Sequence, residues 1–194
     1  MRPAARTRDS QRSETYAAAD AAFTGTLAEV WVGYDSLCHI AALVSQSPWW
    51  QANAAHDSVT VYRGSPRATR STARGQVIEI AAGAEDLHTL THELAHVAIA
   101  SWHGHDATFR GMFVQLAGLV CGAEARDNVQ ESFRTHRLAV DQVPDCPPLG
   151  LAAYLVSWAS CTAEVVVDHH PVVRPTPTVD RFAASRSATG AIAL

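Results

Sequence analysis

The stretch THELAHVAIASWHGHDATFRGMF, residues 91–113, decides how this chain reads. Leu87, Leu90, Leu94 and Val97 recur at helical spacing, which predicts a helix from about Glu85 to Ser101. The same helix carries His92-Glu93-Leu94-Ala95-His96, an HExxH pattern. Residues four apart lie one turn apart on one helix face, so both imidazoles can reach a single cation. Glu93, beside the first of them, can face a water at that cation and act as general base.

A metal held tightly with one position open needs a third protein ligand. His88, His103 and His105 are the candidates. His88 and His96 are separated by a rise of roughly 12 Å along the axis, too far to meet at one ion, so His88 is expected at the rim. His103 and His105 follow the helix break at SWHGHD, where Gly104 lets the chain turn back. His105 is preferred, because Phe109 stands one turn further along and can anchor it in the core; His103 remains the alternative. Asp106 is expected either to orient an imidazole or to cap the next helix. His39, His56, His136, His169 and His170 lack any comparable setting.

Downstream, Phe109, Met112, Phe113, Leu116 and Leu119 predict a helix over 107–121, with Gly122 at its C-cap. A shorter helix from Ala123 to about Arg134 should bury Ala125, Val129 and Phe133. Upstream, SVTVYR (58–63) and QVIEI (76–80) have the β-branched content of strands, and GSPRATRSTARG between them suggests a hairpin with a long loop. The second strand is expected as an exposed edge able to receive a peptide by strand addition. Arg63, Arg67, Arg70 and Arg74 read as a solvated charged loop, with contact to an acidic partner as the secondary reading. Tyr16, Phe23, Leu27 and Val30 predict one helix from Asp9 to about Tyr34. A second helix should start near Asp35 or Ser36, carry Leu37, Ile40 and Val44, and stop before Pro48.

At 194 residues, with 47% hydrophobic and 18% charged residues, the chain suits one folded domain with flanking segments. The organisation expected is a flexible N-terminus over 1–8, a domain over 9–141, and a partly disordered extension over 142–194 marked by Pro144, Pro147, Pro148, Pro171, Pro175 and Pro177. Within that extension, residues 149–167 are too interrupted by Ser157, Ser160, Thr162 and Glu164 to form a good membrane span. A net charge of −4 gives no general pull toward nucleic acid. MRPAARTRDSQRSETY lacks the apolar run of a secretory signal, so the cytoplasm is the expected compartment. Cys38, Cys121, Cys146 and Cys161 form no CxxC pair, which argues against a zinc ribbon, and Cys38 and Cys121 are expected as buried small hydrophobes.

Around Gly104-His105-Asp106-Ala107-Thr108-Phe109, the chain resembles the SprT-like zinc metallopeptidases, whose HExxH is followed by a third histidine in a GHGxxF or GHGxxW setting. RDSQRSETYAAAD, SPWW, THELAH, GHDATF and AEARDNVQESFRTHRLAV together are similar to a family of actinobacterial metallohydrolases related to that group, over about Arg8 to Asp141. The resemblance implies an α+β, minimal zincin-like domain in which helices surround a small antiparallel sheet. It implies Zn2+ bound by His92, His96 and His105, and Glu93 as the catalytic glutamate. The chain departs from the pattern at Asp106, where the family has glycine, and in lacking the group's cysteine-rich ribbon.

The expected function is a zinc-dependent hydrolase, a metallopeptidase acting on a protein or peptide. The alternative is a metal-stabilised, non-catalytic binding module that recruits a protein or nucleic-acid partner. An intact Glu93 favours the enzyme, because a purely structural site needs no carboxylate beside its ligands.

Overall fold

Six helices and three short strands build the described residues, 9–99, 104–147 and 149, of this computed structural model. In chain order they are α1 (Arg12–Phe23), α2 (Tyr34–Ser45), α3 (Pro48–Asn53), β1 (Thr60–Arg63), β2 (Thr72–Arg74), β3 (Val77–Ile80), α4 (Leu87–Ile99), α5 (Ala107–Cys121) and α6 (Ala123–Thr135), with a 3-10 turn at Leu27–Glu29. The class is α+β.

The sheet is mixed rather than antiparallel, and 58–63 and 76–80 do not form a hairpin. The strand order is β1-β3-β2: β1 runs parallel to β3 (Thr60↔Val77 to Arg63↔Ile80) and β2 antiparallel to it (Arg74↔Val77 to Thr72↔Glu79). The reason lies inside the presumed loop. Gly75, at φ +56°, and Gln76 make a two-residue turn that folds Thr72–Arg74 back onto β3. With that flank taken, β1 pairs on the other side, and the long connection through β2 permits the parallel sense. β3 is therefore the central strand, and the expected exposed edge at 76–80 is covered on both sides; β1 and β2 are the edges.

The first predicted helix is also shorter than its apolar period suggested. It ends at Phe23, Thr24 leaves helical geometry, and Gly25 takes φ +74°. Neither Asp35 nor Ser36 caps α2, which starts one residue earlier behind Gly33 at φ +77°. Pro48 opens α3 at its first turn, where its missing N–H costs nothing, and the Ser47 hydroxyl accepts the Trp50 N–H.

The last three helices match their sequence signals. Asp86 accepts the Thr89 N–H at 2.6 Å at the head of α4, and Asp106 accepts the Phe109 N–H at 3.1 Å at the head of α5. Gly122 ends α5 as expected, and α6 buries Ala125, Val129 and Phe133. α5 is buried from Phe109 to Val120 because α4 packs on one side and α6 on another, while α1 closes against α6. The sheet lies against α2 and α4. Phe23, Trp50, Phe109, Phe113 and Phe133 are almost fully buried, each contributing roughly 1.5–3 kcal/mol of apolar burial.

After α6 the chain doubles back over α5. The Asp141 N–H donates to Ala107 O (3.0 Å), Trp49 Nε1 donates to Pro144 O (2.8 Å), and the Cys146 N–H donates to Gln115 Oε1 (2.9 Å). The strap passes so close to Gly111 that a Cβ there would collide with Asp141 O. The first residues of the 142–194 segment thus pack on the domain as far as Cys146, while 150–194 and the expected flexible 1–8 lie outside the described residues. No helix among the described residues is long and apolar enough to cross a membrane.

Candidate metal centre

α4 places His92 and His96 one turn apart, and its capped start fixes their height relative to the sheet. The chain re-enters at Gly104, whose φ of +65° turns it toward α4 and brings in His105 just before α5. A side chain at Gly104 would also strike the Asp9 carboxylate, so both the turn and the close approach require glycine. One candidate ligand atom from each of His92, His96 and His105 falls within a 4.8 Å span. The Nε2 atoms of His92 and His105 are 3.1 Å apart. Nitrogens at roughly 2.0–2.1 Å from a tetrahedral zinc would stand roughly 3.3 Å from one another, so His92 and His105 already have the separation of two ligands to one ion. His103, the alternative third ligand, lies outside the described residues.

The rings are held by packing. Phe109 lies 4.5–5.0 Å from all three imidazole centroids, and Tyr16 stacks on His92 at 4.8 Å. His92 and His105 are buried and His96 is partly so. Burial, reinforced by the neighbouring histidines, holds His92 well below the ordinary imidazole range. Burial, with the His105 charge adding to it, takes His96 down to about 3. At His105 burial also lowers the value, with Asp9 opposing. All three are therefore neutral at pH 7, the form that binds a cation.

Asp9 performs the orienting role that the sequence suggested for Asp106. Its carboxylate is 2.5 Å from His105 Nδ1, so it accepts the Nδ1–H and leaves Nε2 with its lone pair turned toward His92. Asp106 is the α5 N-cap. Nothing local in sequence marks Asp9, which meets His105 across 96 positions. If this group holds a metal, Asp9→Ala is expected to weaken its affinity for added divalent cation about 10- to 100-fold, measured by competition with a chromophoric chelator.

Arg110 is a second residue that sequence reasoning passed over. It sits on α5 among hydrophobic positions, and its side chain is almost fully buried. Its guanidinium donates to Ala139 O (2.6 Å), His105 O (2.5 Å) and Gln11 Oε1 (3.1 Å), tying α1, the His105 turn and the returning strap to one point. Arg110→Met should cost about 2–3 kcal/mol in urea unfolding, because it strands buried acceptors at about 1–3 kcal/mol each.

Glu93 is 6% exposed and faces the same region. Burial pushes its carboxyl up to about 7, with the Arg12 charge pulling the other way. It lines a cleft of about 670 Å³ together with Arg12, Tyr16, Arg70, His88 and His92. His88 stands apart from the three-histidine group, as the axial rise predicted: its ring is 4.7 Å from Phe23 and its Nδ1 is 3.8 Å from Asp20.

Cys38 and Cys121 are partly rather than fully buried, and burial pushes the Cys121 thiol up to about 12, which leaves it a poor nucleophile. Comparison of the chain with protein-family models, with curated proteins and with solved structures returned no match.

Proposed function

We propose that this protein is a zinc-dependent hydrolase, a metallopeptidase of the SprT-like zincin kind, with His92, His96 and His105 as metal ligands and Glu93 as general base. The observation that carries the reading is the convergence of three neutral imidazoles with a buried carboxylate one position from the first ligand, at the wall of an open cleft.

Three nitrogen donors and a carboxylate-oriented imidazole suit zinc, which supplies Lewis acidity when bound: it acidifies a water and polarises the scissile carbonyl. The protein's own groups do the rest. Asp9 and Phe109 hold the ligand rings in place. Glu93 takes the proton from the attacking water and returns it to the departing amine as the C–N bond breaks. A proton affinity raised by burial suits both halves of that task near neutral pH. Among the described residues, no hydrogen bond occupies the Glu93 carboxylate, which favours a catalytic over a purely structural use of the site.

Zinc content by elemental analysis and hydrolysis of an unfolded protein substrate, both on the full chain, test this reading. About one zinc per chain is expected, with cleavage that a chelator abolishes and added zinc restores. A chain that stays metal-free in the presence of zinc would defeat the proposal. A chain that holds zinc but cleaves nothing would favour the non-catalytic binding module.

A further inference from the structure

The cleft beside Glu93 is lined by two arginines that the proposed reaction does not use. Its charged lining consists of Arg12, Arg70, Asp20 and Glu93, with Tyr16 and His88 as the remaining titratable groups apart from His92. Asp20 faces His88 at 3.8 Å. Neither arginine has an ion-pair partner among the described residues. Arg12 lies over the Tyr16 ring at 5.5 Å from its centroid, and its charge is felt at Glu93, His92, His96 and His105. Arg70 reaches the same cleft from a different part of the chain, where the β1–β2 connection meets β2, next to Ser71, whose hydroxyl accepts the Ala81 N–H.

A cation placed beside three neutral imidazoles is a poor companion for a dication unless an anion joins them. Structural need does not explain Arg12 either, since it is exposed and ties no elements together as Arg110 does. Two exposed guanidiniums lining one cleft of about 670 Å³ suit a planar carboxylate, which each can engage with two donors. We propose that the cleft selects peptides bearing a carboxylate near the scissile bond, bound by Arg12 and Arg70. This deepens the hydrolase reading and rests on it for the word substrate, although the anion site itself can be tested without turnover.

The experiment uses the full-length Glu93→Gln protein loaded with zinc, and peptides of one sequence differing in two features. Internal residues are Glu or Gln, and the C-terminus is a free carboxylate or an amide. Affinities come from fluorescence anisotropy. The acidic peptide is expected to bind at least about tenfold more tightly than its fully neutral counterpart, in keeping with charge-assisted hydrogen bonds. Loss of the gap on Glu→Gln assigns it to a side chain, and loss on amidation to a chain terminus; either supports the proposal. Adding Arg12→Gln and Arg70→Gln should close the gap. Because both are exposed, folding should survive, and single Arg70→Gln should already narrow it. A gap under about twofold, no measurable binding of the acidic peptide, or a gap that persists in the double variant overturns the anion site. Charge-selective binding with no cleavage by the wild-type chain would instead sink the hydrolase reading and leave the anion site standing.

Discussion

Glu93→Gln will lower peptide hydrolysis by about 10²–10⁴-fold, the usual worth of a positioned general base, while leaving about one zinc per chain. Glutamine matches glutamate in shape but cannot accept and return the proton. The metal should stay because the proposed ligands are imidazoles, and Glu93 is not among the three groups that converge. Stability gives an independent readout. In the metal-free protein the Glu93 carboxyl is raised from about 4.5 to about 7 by burial, so between those values the unfolded chain gives up a proton that the folded chain keeps. Stability contributed by this group is therefore present below about pH 4.5 and lost as the pH rises to about 7. Glu93→Gln removes that decline, so the metal-free variant should be no less stable than wild type at pH 8. Urea unfolding at pH 5 and pH 8 measures the difference. An inactive variant that has also lost its zinc would move Glu93 from the general base to the ligand set or to structure.

What the sequence could disclose depended on how local the cause was. α4, α5 and α6 were legible because their apolar periods, the Asp106 cap and the Gly122 stop all act within a few residues. His92, Glu93 and His96 were legible for the same reason, lying within a single turn of one helix. His105 needed one more step, the turn at Gly104, and that too is short-range. Asp9 and Arg110 were not legible. Asp9 acts across 96 positions, and Arg110 interrupts the apolar face of α5 for the sake of carbonyls at His105 and Ala139 that only the folded chain brings near. The sheet failed in the middle: Thr72–Arg74 is too short and polar to announce a strand, yet the Gly75-Gln76 turn pairs it with β3 and so displaces β1 to the far side. Phe23 ended a helix that the period would have continued, because Gly25 takes a left-handed conformation that favours leaving it.

Zinc should raise the thermal midpoint of this protein substantially, and that rise should vanish in each of His92→Ala, His96→Ala and His105→Ala. A ligand that binds only the folded chain stabilises it by about 4 kcal/mol when free at about 1,000 times its dissociation constant. For a domain of this size about 1 kcal/mol corresponds to about 3–4 °C, so a shift of about 12–16 °C is expected. The coupling follows from the geometry. The ligands belong to α4 and to the turn before α5, and Asp9 brings the chain ahead of α1 to the same point. An ion there fastens three parts of the chain that otherwise meet through ring packing and hydrogen bonds. The zinc-induced shift, rather than the midpoint itself, is the quantity to compare. Alanine at His92 also opens a void between Tyr16, Phe109 and Phe113, which lowers the metal-free midpoint for reasons unrelated to zinc. His136→Ala supplies the control: this exposed histidine at the end of α6 lies outside the converging group, so its variant should keep the whole shift. Scanning calorimetry with and without zinc decides the matter. A shift that survives in all three alanine variants places the metal elsewhere and removes the basis of the proposed chemistry. A shift lost in only two leaves the third histidine as a neighbour rather than a ligand.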